Sequence, residues 1–70
     1  MQENHRDYLD RLDQLRGIKE ELGQMEETVR VRCLVAAVNL TLQKFEDLTY
    51  KEICETISDL RNRMFELRAA

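Results

Sequence analysis

The sequence predicts an all-helical protein, arranged as a hairpin of one long and one short helix. The chain has 70 residues with no proline and only two glycines, so few positions interrupt a helix. Its residues are 36% charged and 43% hydrophobic, which is typical of amphipathic helices and not of a disordered chain. Apolar residues recur at steps of three and four along most of the chain. We therefore predict a single helical domain over residues 1–70.

The first predicted helix runs from about residue 5 to about residue 45, with Asn4 as its N-cap. Its apolar positions are spaced to share one face: Tyr8, Leu12, Leu15, Ile18, Leu22, Met25, Val29 and Cys33. From Cys33 to Phe45 the chain is apolar around most of the helix circumference. We expect that segment to be the most buried part of the protein.

Gly23 decides between two architectures. A glycine after Leu22 can end a helix in a left-handed cap, and the chain would then form a compact three-helix bundle. However, the apolar phase passes through Gly23 without a skip, and residues 24–27 contain no strong turn signal. A glycine inside a helix costs only about 1 kcal/mol relative to alanine. The pattern favours a continuous first helix, and the three-helix bundle is the alternative.

The second predicted helix, from about residue 50 to 68, carries the most specific local signal. Residues 46–48 form a short connection, and Thr49 with Glu52 then makes a capping box. The apolar residues that follow are spaced as a heptad repeat: Ile53, Ile57, Leu60, Met64 and Leu67.

The unequal helix lengths predict a homodimer. The long helix would span about 60 Å and the short one about 28 Å, so the short helix covers only residues 29–45. The stripe before Gly23 keeps no partner within the chain, and an apolar stripe of that length is an association site. We predict that two long helices pair antiparallel in a bundle or coiled coil, through Tyr8, Leu12, Leu15, Ile18, Leu22, Met25 and Val29. A basic middle segment, which contains Arg30, Arg32 and Lys44, lies between acidic ends and could attract the ends of a second antiparallel chain; the alternative is that these charges form solvated helix faces.

No catalytic motif is present in the sequence. The carboxylates lie at outer-face spacings, Cys33 and Cys54 match no metal-binding spacing with His5, and no glycine-rich phosphate loop occurs. We predict no enzymatic activity, no cofactor and no metal. The cysteines are expected to be small core residues of a cytoplasmic protein. The longest uncharged run, residues 33–43, is too short to cross a membrane.

Residues 48–55 (Leu-Thr-Tyr-Lys-Glu-Ile-Cys-Glu) resemble the opening of the helix-turn-helix in region 4 of sigma factors and related response regulators. The resemblance implies DNA reading by a second helix that follows a turn, which usually contains glycine. Residues 56–60 depart from that pattern because they lack glycine and continue the heptad. The capping box and the apolar spacing account for the same residues.

The predicted function is protein–protein interaction by a small regulatory or adaptor protein, such as an inhibitor, anti-activator, antitoxin or chaperone, that acts on a protein target as a homodimer. One alternative is a nucleic-acid-binding regulator with a basic patch of Arg30, Arg32, Arg61, Arg63 and Arg68. The other is an accessory subunit of a larger complex.

Overall fold

The computed structural model describes residues 5–69 and shows a bundle of three helices. They are α1 (His5–Gly23), α2 (Val29–Gln43) and α3 (Tyr50–Ala69), with a short 3-10 turn at Phe45–Asp47 before α3. The all-helical prediction is confirmed. The continuous first helix is wrong, and the three-helix alternative is the arrangement observed. The predicted N-cap Asn4 lies outside the described residues.

The break between α1 and α2 depends on Thr28, which the sequence analysis did not single out. Thr28 has an extended backbone, with φ of −114° and ψ of 171°, and its hydroxyl oxygen accepts the Val31 amide at 3.2 Å. A side chain that satisfies a free amide in this way defines a helix start. The chain therefore turns through residues 24–28 and α2 packs back against α1. Gly23 ends α1 without the predicted left-handed conformation.

The core lies where the three helices meet, and α1 contributes three buried residues to it beside four from α3. Its buried residues are Leu15, Ile18, Leu22, Leu34, Val38, Phe45, Ile53, Ile57, Leu60 and Met64. The heptad predicted for the last helix is confirmed, with four members buried and Leu67 half-buried. The expectation for residues 33–45 is wrong in part, because Cys33, Ala36 and Leu40 are exposed.

The start of α3 has the predicted capping box. The Glu52 amide donates to the Thr49 hydroxyl at 3.1 Å, and the Thr49 amide donates to the Glu52 carboxylate at 2.9 Å. From there α3 is helical without interruption to Ala69. The turn that a helix-turn-helix requires is therefore absent from residues 56–60, and the resemblance to the sigma-factor motif does not extend to the fold.

Helices α1 and α3 run parallel, and polar contacts at regular intervals fix their register. Tyr50 donates to Asp7 at 2.6 Å, Arg61 donates to Gln14 at 3.1 Å, and Arg68 donates to Glu21 at 2.6 Å. The α1 partners Asp7, Gln14 and Glu21 are seven residues apart, which places them on one side of the helix. We call these three contacts the polar ladder.

Candidate protein-interaction surface

Helix α2 is apolar on two opposite faces. Its inward face is formed by the buried residues Val31, Leu34 and Val38. Its outward face carries a second apolar row at steps of four, three and four, which we call the outward stripe: Val29, Cys33, Ala36 and Leu40. All four members are exposed. At 100° per residue the stripe lies on the side of the helix directly opposite the core.

The outward stripe exposes two large apolar side chains to water. Val29 is 75% exposed and Leu40 is 51% exposed. Single exposed apolar residues are ordinary, but the outer face of a surface helix is normally polar, so a second apolar row is unusual. The small residues at positions 33 and 36 would let another helix approach closely. The outward stripe therefore has the character of an association surface.

Charge along α2 is confined to its first turns. Arg30 and Arg32 are both exposed, and Arg32 is paired with Glu27 at 2.9 Å. No charged residue follows between positions 33 and 43, where the polar residues are Asn39, Thr41 and Gln43. Desolvating this part of α2 therefore costs little, because no ionised group has to leave water.

An open groove between α2 and α3 adjoins the outward stripe. It is lined by apolar atoms of Val29, Cys33, Leu34 and Leu67, with the charged residues Arg30, Arg63 and Glu66 beside them. Val29 and Cys33 belong to both the groove and the stripe, so the two form one continuous apolar surface. The groove lies at the end of the bundle where α2 begins and α3 ends.

The predicted dimer-interface residues mostly lie inside the bundle. Leu15, Ile18 and Leu22 are at most 3% exposed, while Tyr8, Leu12 and Met25 are half-buried against the core. The premise that this half of the stripe lacks a partner within the chain is therefore wrong. It is the half beyond Met25, from Val29 to Leu40, that stays uncovered. The dimer itself stays a prediction.

Tyr8, the first of these predicted interface residues, anchors the connection before α3. Its hydroxyl donates to the Phe45 carbonyl at 3.2 Å, and the two ring centroids are 4.8 Å apart. The hydroxyl thereby satisfies a backbone acceptor in the 3-10 turn, while the ring packs beside the core. Tyr8 therefore has a structural role within one chain.

The five arginines of the predicted basic patch do not share one face. Arg63 lies beside the α2–α3 groove with Arg30, whereas Arg61 lies on the other side of α3 and reaches α1. Three of the five are paired with carboxylates: Arg32 with Glu27, Arg63 with Asp59, and Arg68 with Glu21. These pairs lower the positive potential that phosphate binding would need.

A cluster of titratable groups joins the first turns of α1 and α3. The Tyr50 hydroxyl donates to Asp7 at 2.6 Å and accepts from the Arg11 guanidinium at 3.3 Å, which also lies 5.8 Å from the centre of the Tyr50 ring. The hydrogen bond to Asp7 raises the pKa of Tyr50 above its ordinary value, since the neutral phenol is the form that donates. Sequence spacing could not find this cluster, because 43 residues separate Asp7 from Tyr50.

The cysteines are not the core residues that the sequence predicted. Cys33 is exposed on the outward stripe and Cys54 is half-buried beside Tyr50. Within residues 5–69 no set of three or more His, Cys, Asp and Glu side chains is placed to hold a metal ion. In that same part of the chain, no helix is both long enough and apolar enough to cross a membrane.

Comparison of the chain with protein-family models, with curated proteins and with solved structures finds no match.

Proposed function

We propose that the protein is a small non-enzymatic regulatory or adaptor protein that acts by protein–protein interaction. The observation that carries this proposal is the outward stripe on α2, which exposes Val29 and Leu40 opposite the core face of the same helix. Its apolar ends and small centre suit contact with another helix. The cytoplasmic location belongs to the same proposal, because an exposed thiol at Cys33 persists in a reducing compartment.

The contact surface proposed here differs from the one that the sequence suggested. A surface built on Leu15 and Leu22 would require the core to open, since both are at most 1% exposed. A surface built on α2 is available while all three helices stay packed. An inhibitor, anti-activator, antitoxin, chaperone or accessory subunit could use such a face to contact its target.

The test compares three tagged proteins as bait in extracts of the cells that make the chain: the unaltered protein, Leu40→Lys and Asn62→Lys. Leu40 is in the stripe, whereas Asn62 is an exposed residue of α3 outside it, so both variants add one positive charge. We expect a defined set of proteins to bind the unaltered chain and Asn62→Lys, but not Leu40→Lys. Circular dichroism should show the same helix content for all three. Equal capture by all three baits would contradict the proposal.

The alternative, a nucleic-acid-binding regulator, predicts a different result. Binding to duplex DNA or structured RNA would weaken steeply with salt and would be lost when Arg61→Ala and Arg63→Ala are combined. We expect neither behaviour, because Arg63 is paired with Asp59 and Arg61 hydrogen-bonds to Gln14. Fluorescence anisotropy at two salt concentrations measures the binding to nucleic acid. Steep salt dependence, together with loss of binding in the double variant, would overturn the protein-binding proposal.

A further inference from the structure

The outward stripe has the same spacing and the same order of side-chain sizes in both directions along α2. Its steps are four, three and four, and its residue sizes run large, small, small, large from Val29 to Leu40. A surface with this symmetry fits an antiparallel copy of itself, because a twofold axis between Cys33 and Ala36 exchanges equivalent positions. Twofold interfaces between identical chains have this self-complementary character.

We propose that the partner on the outward stripe is a second copy of this chain, with the two α2 helices packed antiparallel about that axis. The inference rests on the proposed use of the α2 face for protein contact. In this arrangement Val29 lies opposite Leu40 of the second copy, and Cys33 lies opposite its Ala36. The small residues let the helix axes approach to about 8 Å at the centre, and the large residues fill the space at the ends.

The charges of α2 favour the antiparallel orientation over the parallel one. In a parallel pair, Arg30 and Arg32 would lie beside the same arginines of the second copy, which is unfavourable for like charges. In the antiparallel pair, each basic first turn lies along the uncharged half of the other helix. Beyond that half lie the exposed residues Lys44, Glu46 and Asp47, whose charges of +1, −1 and −1 sum to −1 and attract the arginines weakly. Salt weakens the attraction between these charges but does not reverse it.

The contact is small, and weak, transient interfaces are mostly small ones. Helix α2 has 15 residues, which corresponds to a contact about 22 Å long. A single helix pair of this length lies near the lower limit of specific interfaces. We therefore expect a dissociation constant in the micromolar range, so that the dimer forms and separates with protein concentration.

Sedimentation equilibrium tests the proposal with substitutions of opposite charge at one position. Leu40 would lie beside Arg30 of the second copy, so Leu40→Lys should weaken dimerisation about tenfold or more, and Leu40→Glu should weaken it clearly less. A parallel pair would place position 40 beside itself, and both variants would then weaken it equally. Phe65→Glu is the matched control, because Phe65 is 62% exposed but lies on the α1–α3 side. It should leave the dimer intact.

Cross-linking gives the orientation directly. Two chains are prepared with Cys33→Ala and Cys54→Ala, one carrying Val29→Cys and the other Leu40→Cys, and are treated with a short bifunctional maleimide. We expect cross-linked dimers only in the mixture, since position 29 faces position 40. Cross-linking of each chain when it is alone, with no cross-linked heterodimer in the mixture, would show a parallel pair and overturn the inference.

The two proposals fail in distinguishable ways. A monomer at all concentrations, with host proteins still captured in a Leu40-dependent manner, would refute the second copy and leave the protein-binding function standing. A dimer that is unaffected by Leu40→Lys would place its interface elsewhere and would also refute the antiparallel α2 pair. Capture that is independent of Leu40, with a dimer that depends on it, would refute the proposed function alone.

Discussion

The substitution Gly23→Ala tests the way in which α1 ends. Gly23 is the last residue of α1, its φ lies outside the left-handed region, and a Cβ atom added there meets nothing within 4 Å. Alanine therefore fits without strain and also restricts the unfolded chain. We expect the free energy of unfolding to rise by about 0.4–1 kcal/mol. For a domain of this size such a change raises the melting temperature by about 2–8 °C.

Thermal and urea denaturation followed by circular dichroism measure the change, with Gly17→Ala as the companion variant. Gly17 lies inside α1, and a Cβ atom there also meets nothing within 4 Å. Because Gly17 is an interior helical position, its replacement should stabilise by close to the full propensity difference of about 1 kcal/mol. The two variants together separate the helix end from the helix interior.

Two results would contradict this description of the end of α1. A loss of stability in Gly23→Ala alone would mean that Gly23 adopts the left-handed conformation that alanine avoids. A gain in helix content together with a doubled mass would mean that alanine joins α1 to α2 as one long helix. Sedimentation of Gly23→Ala beside the unaltered chain at equal concentration distinguishes that second result from simple stabilisation.

Three further changes test the packing, the second helix start and the titratable cluster. Leu15→Ala should lower the free energy of unfolding by about 2–5 kcal/mol, since Leu15 is 0% exposed; a loss below about 1 kcal/mol in urea titration would contradict the described core. Thr28→Ala should cost about 1 kcal/mol, because the Val31 amide loses its acceptor, and an unchanged urea midpoint would show that Thr28 is no cap. Tyr50→Phe should destabilise at neutral pH. Because the pKa of Tyr50 is raised, the stability that its hydroxyl contributes is complete below the unfolded pKa of about 10 and is lost as pH rises through the folded pKa. The urea midpoints of Tyr50→Phe and the unaltered protein should therefore converge above pH 10. A constant difference between the two midpoints would contradict the Asp7 hydrogen bond as the cause.

Helix α3 could be predicted from the sequence because its signals are local. The capping box involves residues three positions apart, and the heptad from Ile53 to Leu67 has one apolar face. The start of α2 was missed because its cap is a weaker signal. Thr28 is followed three residues later by Val31, where a capping box would have glutamate or glutamine.

The candidate interaction surface could not be predicted because periodicity gives no information about which of two apolar faces is buried. The apolar row of α1 keeps its helical spacing beyond Gly23, through Met25 to Val29 and Cys33. The last two positions are exposed in α2. The buried row of α2, through Leu34 and Val38, is equally regular. Only the position of α1 and α3 beside α2 decides between the two rows. The Tyr50 cluster was missed for a related reason, because it depends on contacts between helices distant in sequence.

The polar ladder has a consequence for how long the native state lasts. Its contacts join residues 43 to 47 positions apart, whereas neighbouring helices are connected through short turns. Closing the longer segment costs more chain entropy, so we expect α1 and α3 to pair last during folding. Contacts that form after the transition state slow unfolding and leave the folding rate unchanged. These contacts are exposed or half-buried and each contributes little to stability, so removing one should speed unfolding by only a few-fold.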